Sequence, residues 1–226
     1  MLIRRLSALA LIAAFVVPAW AQPPAHWTEG ENYFPVVPAQ ATNLPAGKVS
    51  VTEVFSYACP ACYQFYPVVD RLRESLPGNA ELNFVPAGFN PAEDWPVFQR
   101  AYFTAQALGI AAKNHDAMFN AVWKSGELAV EDTTTNRLKD PLPKIEDVAK
   151  FYHRVAGVDI ERFIATASSF STELKIKRAD AFIAACQVDQ TPTIVVNGKY
   201  RLTVQTAGGY DQTIQLVKYL VALESK

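Results

Sequence analysis

The chain has 226 residues, half of them apolar, with 21 basic and 22 acidic side chains and a formal net charge of −1. That balance, with no basic stripe anywhere along the chain, excludes the electrostatic footprint of a nucleic-acid-binding protein. The length suits one large domain or a small domain carrying an insertion, and the apolar fraction suffices for a well-filled core.

A leader comes first. Arg4 and Arg5 precede an apolar stretch from Leu6 to Val17 broken only by Ser7, and Ala19-Trp20-Ala21 offers small residues at the positions a signal peptidase reads. A charged start, a short apolar middle and a small-residue exit predict a secretory signal peptide over residues 1–21. The alternative, an uncleaved anchor, is disfavoured because the apolar run falls short of the roughly 20 residues a spanning helix needs. Cleavage would leave a slightly more acidic mature chain, Gln22 to Lys226. It has no later stretch apolar enough to span a bilayer, and its compartment would permit disulfides.

Lys48 to Ser56 alternates and is rich in β-formers, predicting a strand with Val49, Val51, Glu53 and Phe55 on one face. From Cys62 to Leu76 the period becomes helical, with Phe65, Val69, Leu72 and Leu76 on one side, and Pro77-Gly78-Asn79 stops it. Leu82 to Val85 is a second short strand. Asn90-Pro91-Ala92-Glu93 resembles a capping box for a helix through Phe98, Ala101, Tyr102 and Ala105, with Pro96 set to delay its start. Met118, Phe119, Val122 and Trp123 predict another helix ending at Gly126, and Ser125 to Pro143 reads as loop. Ile145, Val148, Ala149, Tyr152 and Val155 predict a further helix. Asp159 caps a short one with Ile160, Phe163 and Ile164, and another runs from about Ser171 to Cys186. Thr193 to Val196 and Tyr200 to Val204 are strands joined by an Asn197-Gly198 hairpin turn. Asp211 is the expected cap of a last helix with Ile214, Val217, Leu220 and Val221 inward. The order is βαβ, a helical block, then ββα. The two late strands cannot form a stable sheet alone, so all four are expected in one sheet.

Three cysteines are too few for a staple framework, and Cys59 and Cys62 stand three apart while Cys186 is remote. Closing so short a loop removes little chain entropy, so reactivity explains the pair better than stability does. A thiolate needs positive potential. Cys59 at the start of a helix would find it in the first-turn N–H groups and the helix dipole, with Pro60 suited to that turn. Cys62, one turn on, would be the more buried partner sulfur. A zinc site needs four ligands, and Cys186, His26, His115 and His153 supply no second pair at suitable spacing. A c-type haem needs histidine directly after the second cysteine, where Tyr63 stands. A purely structural pair remains the bland alternative. Glu53, on an otherwise apolar strand face aimed under the cysteines, would have its pKa raised by desolvation and could exchange protons with Cys62. Cys186 reads as a buried free thiol among alanines. The other histidines and the tryptophans show no constellation and are assigned to surface or core.

The run Phe55-Ser56-Tyr57-Ala58-Cys59-Pro60-Ala61-Cys62-Tyr63-Gln64-Phe65, with Gln190-Thr191-Pro192 and Val196-Asn197-Gly198-Lys199-Tyr200 later, resembles the DsbA family of periplasmic disulfide oxidases. The likeness covers nearly the whole mature chain. It implies an α/β thioredoxin-like fold over 48–88 and 172–226 with an all-helical insertion at 89–171. It also implies a redox-active Cys59–Cys62 disulfide with Cys59 exposed and Cys62 buried. Thr191-Pro192 matches the loop where this fold holds a cis proline beside the disulfide, the Thr191 backbone then meeting a substrate strand. Pro60 and Ala61 would tune the potential. Ala61 replaces the histidine of the best-known member. The Leu82–Val85 strand lacks that member's lysine, which leaves Glu53 without a cationic partner. The implied activity is disulfide donation to exported proteins with free thiols, without cofactor or metal, by a monomer that a DsbB-type membrane quinone reductase reoxidises. A periplasmic reductase or a non-catalytic peptide-binding chaperone are the alternatives. A DsbC-type isomerase would need a dimerisation domain, for which Gln22 to Gly47 is too short.

Overall fold

The computed structural model describes residues 26–42, 44–132, 134–135 and 137–225. The expected signal peptide lies outside them. The first long strand is Val49–Phe55 (β2), buried along its whole length because elements cover it on both faces. It runs parallel to Ala80–Pro86 (β3) and antiparallel to Thr193–Val196 (β6), which returns through Tyr200–Thr203 (β7). A two-residue strand, Phe34–Pro35 (β1), closes the edge against β7 and gives the order β1-β7-β6-β2-β3. Two residues carry no periodicity, so the alternation rule does not reveal β1. The four expected strands share the sheet as predicted.

Pro60–Ser75 (α1) and Tyr210–Glu224 (α8) cover one face, where Val49, Val51, Phe65, Val69, Leu72, Ile194, Leu216 and Leu220 form one core. The opposite face packs Val54, Val195, Ile183, Val188 and Cys186. Between β3 and β6 lie Trp95–Ala107 (α2), His115–Trp123 (α3), Ile145–Ala156 (α4), Ile160–Ala167 (α5) and Phe170–Ala185 (α6). Their core is rich in aromatic rings and includes Phe98, Phe119, Tyr152 and Phe163. It is continuous with Phe55, Tyr57, Cys59 and Cys62 at the end of the sheet. This is a thioredoxin-like α/β fold with helices inserted between its halves.

Local chemistry explains where expectation and structure agree and differ. Asn197 and Gly198 take φ of 52° and 65°, the left-handed pair that an Asn-Gly hairpin requires. Asp159 caps α5 by accepting the Arg162 N–H at 2.8 Å. Asn90 instead caps only a 3-10 turn, Pro91–Glu93, and α2 waits until Trp95, just before Pro96. The stretch read as loop from 125 to 143 contains a small hairpin, Glu131–Asp132 (β4) with Arg137–Leu138 (β5). Val204 leaves the strand for a short helix, Val204–Ala207 (α7), because Thr203 and Thr206 cap each other reciprocally. Gly209, not Asp211, caps α8. Asp211 lies in the first turn, where its carboxylate pairs with Arg71 of α1 at 2.9 Å.

Candidate active site

β2 delivers the chain to the site, and the turn Ser56-Tyr57-Ala58 redirects it into α1. The turn is self-braced. Ala58 N–H donates to Ser56 Oγ and Cys59 N–H to the Ser56 carbonyl, each at 3.2 Å. Cys59 is the N-cap of α1, with extended backbone and Pro60 at the first helical position. Its Sγ accepts the Cys62 N–H at 3.4 Å. Proline contributes no donor there and needs none. Pro60 is exposed and Ala61 half-buried.

The Cys59 thiol is pulled down to about 6. The largest cause is a hydrogen bond from the Cys62 thiol, followed, against an opposing desolvation, by the Thr191 side chain and by the backbone N–H groups of Cys62 and Ala61. The helix start expected to dominate therefore contributes, but it ranks behind the second sulfur. Burial pushes Cys62 well above the ordinary thiol range, helped by the hydrogen bond and charge of Cys59 and by Glu53. The two thiols, alike in sequence, are driven apart in acidity.

The family resemblance implies an exposed Cys59, yet it is 4 % exposed against 0 % for Cys62. The loop before β6 accounts for this correction. The Thr191–Pro192 bond is cis, and the Cys59 thiol donates to the Thr191 carbonyl across 3.5 Å. Thr193 Oγ1 braces the loop by donating to the Gln190 carbonyl at 2.8 Å. Thr191 Oγ1 is buried with no hydrogen-bond partner among the described residues.

Glu53 is 2 % exposed, opposite Phe84 of β3 and Ile194 of β6. Burial first, then the charge of Cys59, raises its carboxyl to about 8, while Arg73 acts in the opposite direction. Arg73 pairs with Asp70 and lies 5.8 Å over the Phe84 ring, so it reaches Glu53 only as a field. No side chain forms an ion pair with Glu53 among the described residues.

Cys186 is fully buried, and desolvation raises its thiol to about 11. His115 and Trp123, assigned by sequence to surface or core, stand against the site. The Trp123 indole N–H donates to the Tyr57 carbonyl, and His115 Nδ1 shares a hydrogen bond with the Tyr57 hydroxyl, both at 2.8 Å. Their spacing of eight residues, with Phe119 midway, is the signal that marks one helical face. Among the described residues no group of three or more His, Cys, Asp or Glu side chains could hold a metal. No helix there is long and apolar enough to cross a membrane.

A strand leading into a helix-capping cysteine, a second thiol one turn on and a cis-proline carbonyl against the first sulfur define a thiol–disulfide oxidoreductase of the thioredoxin fold. A family model described as thioredoxin matches residues 44–215. The thiol:disulfide interchange protein DsbA of Pseudomonas aeruginosa is 32% identical over 216 residues, covering 96% of this chain and 93% of its own. That of Azotobacter vinelandii is 32% identical over 89% of this chain and 86% of its own. The crystal structure of Pseudomonas aeruginosa DsbA superposes with a TM-score of 0.74 at 32% identity, over 88% of this chain and 94% of that one. The oxidoreductase DsbA of Xylella fastidiosa gives 0.75 at 31% identity, over 86% and 96%. The chain belongs to the DsbA family of thiol:disulfide interchange proteins, and it is a protein disulfide oxidoreductase.

Proposed function

We propose that this protein donates a Cys59–Cys62 disulfide to folding exported proteins in the periplasm. A client thiolate attacks the Cys59 sulfur and forms a mixed disulfide. The Cys59–Cys62 bond breaks, and its electron pair leaves on the Cys62 sulfur. Cys62 holds its proton strongly, and neutral Glu53, with a carboxyl at about 8, is a proton donor available at neutral pH. The client's second thiolate then attacks its own sulfur in the mixed disulfide and expels Cys59 as thiolate. The client loses two electrons and the enzyme gains them.

The observation that carries this reading is the split between the two sulfurs. A Cys59 thiol at about 6 makes that sulfur the better leaving group in the second step and favours the reduced enzyme, which is what makes an oxidant strong. DsbA is itself the standard example of a dithiol made strongly oxidising in this way, so the logic is inherited from the family. The Thr191 backbone, beside the sulfur, meets the client strand, while Pro60, Ala61 and Pro192 set the surroundings of the pair. A DsbB-type membrane quinone reductase restores the disulfide. The enzyme acts as a monomer, with 48–88 and 172–226 as its thioredoxin-like body and 89–171 as the inserted helical unit.

The test is the equilibrium of the pair with glutathione, run beside Cys59→Ser. An oxidase gives a potential well above that of thioredoxin, about −270 mV, and loses all turnover in the variant. A value near thioredoxin's makes the protein a reductase. Function retained by Cys59→Ser makes it a peptide-binding chaperone.

A further inference from the structure

Tyr57 stands two residues before Cys59, is 1 % exposed, and is held at two points by one helix. Its carbonyl accepts the Trp123 indole N–H, and its hydroxyl shares a hydrogen bond with His115, each at 2.8 Å. His115 opens α3 and Trp123 closes it. Between them Phe119 meets the Tyr57 ring edge-on, with centroids 4.9 Å apart. Residues at i, i+4 and i+8 line one helical face, so the whole stripe points at this turn. It also covers the start of α1. Trp123 stacks on Tyr63 at 5.9 Å and Phe119 on Tyr66 at 5.3 Å.

Half-buried indole and imidazole groups such as these commonly find hydrogen-bond partners, so pairing alone is no argument for a role. Placement is the argument. The Tyr57 carbonyl belongs to the peptide that continues into the braced turn at Ser56, Ala58 and Cys59. The helix under the stack supplies the Cys62 N–H that meets the Cys59 sulfur at 3.4 Å. That contact stabilises a thiolate far more than a neutral disulfide sulfur. A device that holds the turn and the helix in register therefore favours the reduced state over the oxidised one.

We propose that His115 and Trp123 are positioning residues for the redox pair, through which α3 grips the turn presenting Cys59 and sets how strongly the enzyme oxidises. They act through Tyr57 and α1 and take no part in the exchange itself. The inference rests on the reading of Cys59–Cys62 as the working disulfide.

The test uses Trp123→Phe, which keeps a ring on Tyr63 and deletes the N–H, and Tyr57→Phe, which deletes only the hydroxyl. In each full-length protein the glutathione equilibrium and the ultraviolet titration of Cys59 are measured. Trp123→Phe is expected to move the equilibrium towards the disulfide by about tenfold, equivalent to ~30 mV for a two-electron couple, with a parallel rise in the Cys59 titration midpoint. Tyr57→Phe moves both in the same direction by a smaller factor, and it carries the test alone if Trp123→Phe does not fold. A merely structural role lowers the stability of oxidised and reduced forms equally and leaves both readouts in place, which overturns the proposal. If Cys59→Ser retains turnover, the failure lies in the reading of the cysteines instead.

Discussion

Cys59 and Glu53 pull stability in opposite directions as pH changes, and both signs follow from their folded-state acidities. Cys59 titrates near 6 when folded and near 8.5 when unfolded, so its contribution is complete above 8.5 and is lost as pH falls through 6. Reduced protein is therefore expected to gain about 3 kcal/mol over Cys59→Ser between pH 6 and 9, measured by denaturant unfolding at each pH. Glu53 has its folded carboxyl raised to about 8, so it favours folding most below the unfolded value near 4.5 and loses that contribution as pH rises through 8. Glu53→Gln should accordingly be more stable than the parent at pH 8, by a few kcal/mol at most, with the advantage vanishing near pH 4. If Glu53 passes its proton to Cys62, the same substitution also alters the pH profile of client oxidation. An unchanged profile removes Glu53 from the mechanism while leaving its cost to stability intact.

The hairpin between β6 and β7 shows how one turn can hold a distant segment. Gly198 has φ of 65°, and a Cβ there would come within 2.1 Å of the Gln40 carbonyl oxygen. That approach is close because Gln40 N–H donates to the Gly198 carbonyl at 2.8 Å, tying the segment after β1 onto the turn. Gly198→Ala meets both backbone strain and a clash with main chain, and is expected to cost about 2 kcal/mol or more, read as a lower urea midpoint. Asp159→Ala is the milder comparison. It removes one cap bond from α5 and should cost about 1 kcal/mol.

Aromatic packing welds the inserted helices to the sheet, and it half-buries a base there. His115 lies among Phe55, Phe84, Tyr102 and Phe119, where desolvation, aided by the field of Arg73, lowers its pKa to about 3. The unfolded chain takes up this proton near 6.5 and the folded one does not. Stability therefore falls with acidification from 6.5 towards 3, by up to about 1.4 kcal/mol per pH unit. His115→Phe should flatten thermal stability across pH 4–6 relative to the parent, and an equal slope in both proteins would show that other groups govern acid unfolding.

Periodicity and local chemistry carried much of this protein. The alternation of Val49 to Phe55, the helical stripe after Cys62, the Asn197-Gly198 turn and the Asp159 cap are short-range effects, and each is legible in its own few residues. The spacing and setting of Cys59 and Cys62 pointed to redox chemistry for the same reason, since a helix start acts on its own first turn. Other features depend on chain segments far apart in sequence, which no local pattern reports. Folding alone sets the Thr191 carbonyl on a sulfur 132 residues away, covers Cys59, and brings Arg73 rather than a lysine of β3 to bear on Glu53. It likewise delivers His115 and Trp123 to the turn before the cysteines. Local sequence determined which groups could react. Tertiary packing decided their acidity and exposure, because both depend on what displaces water around an atom.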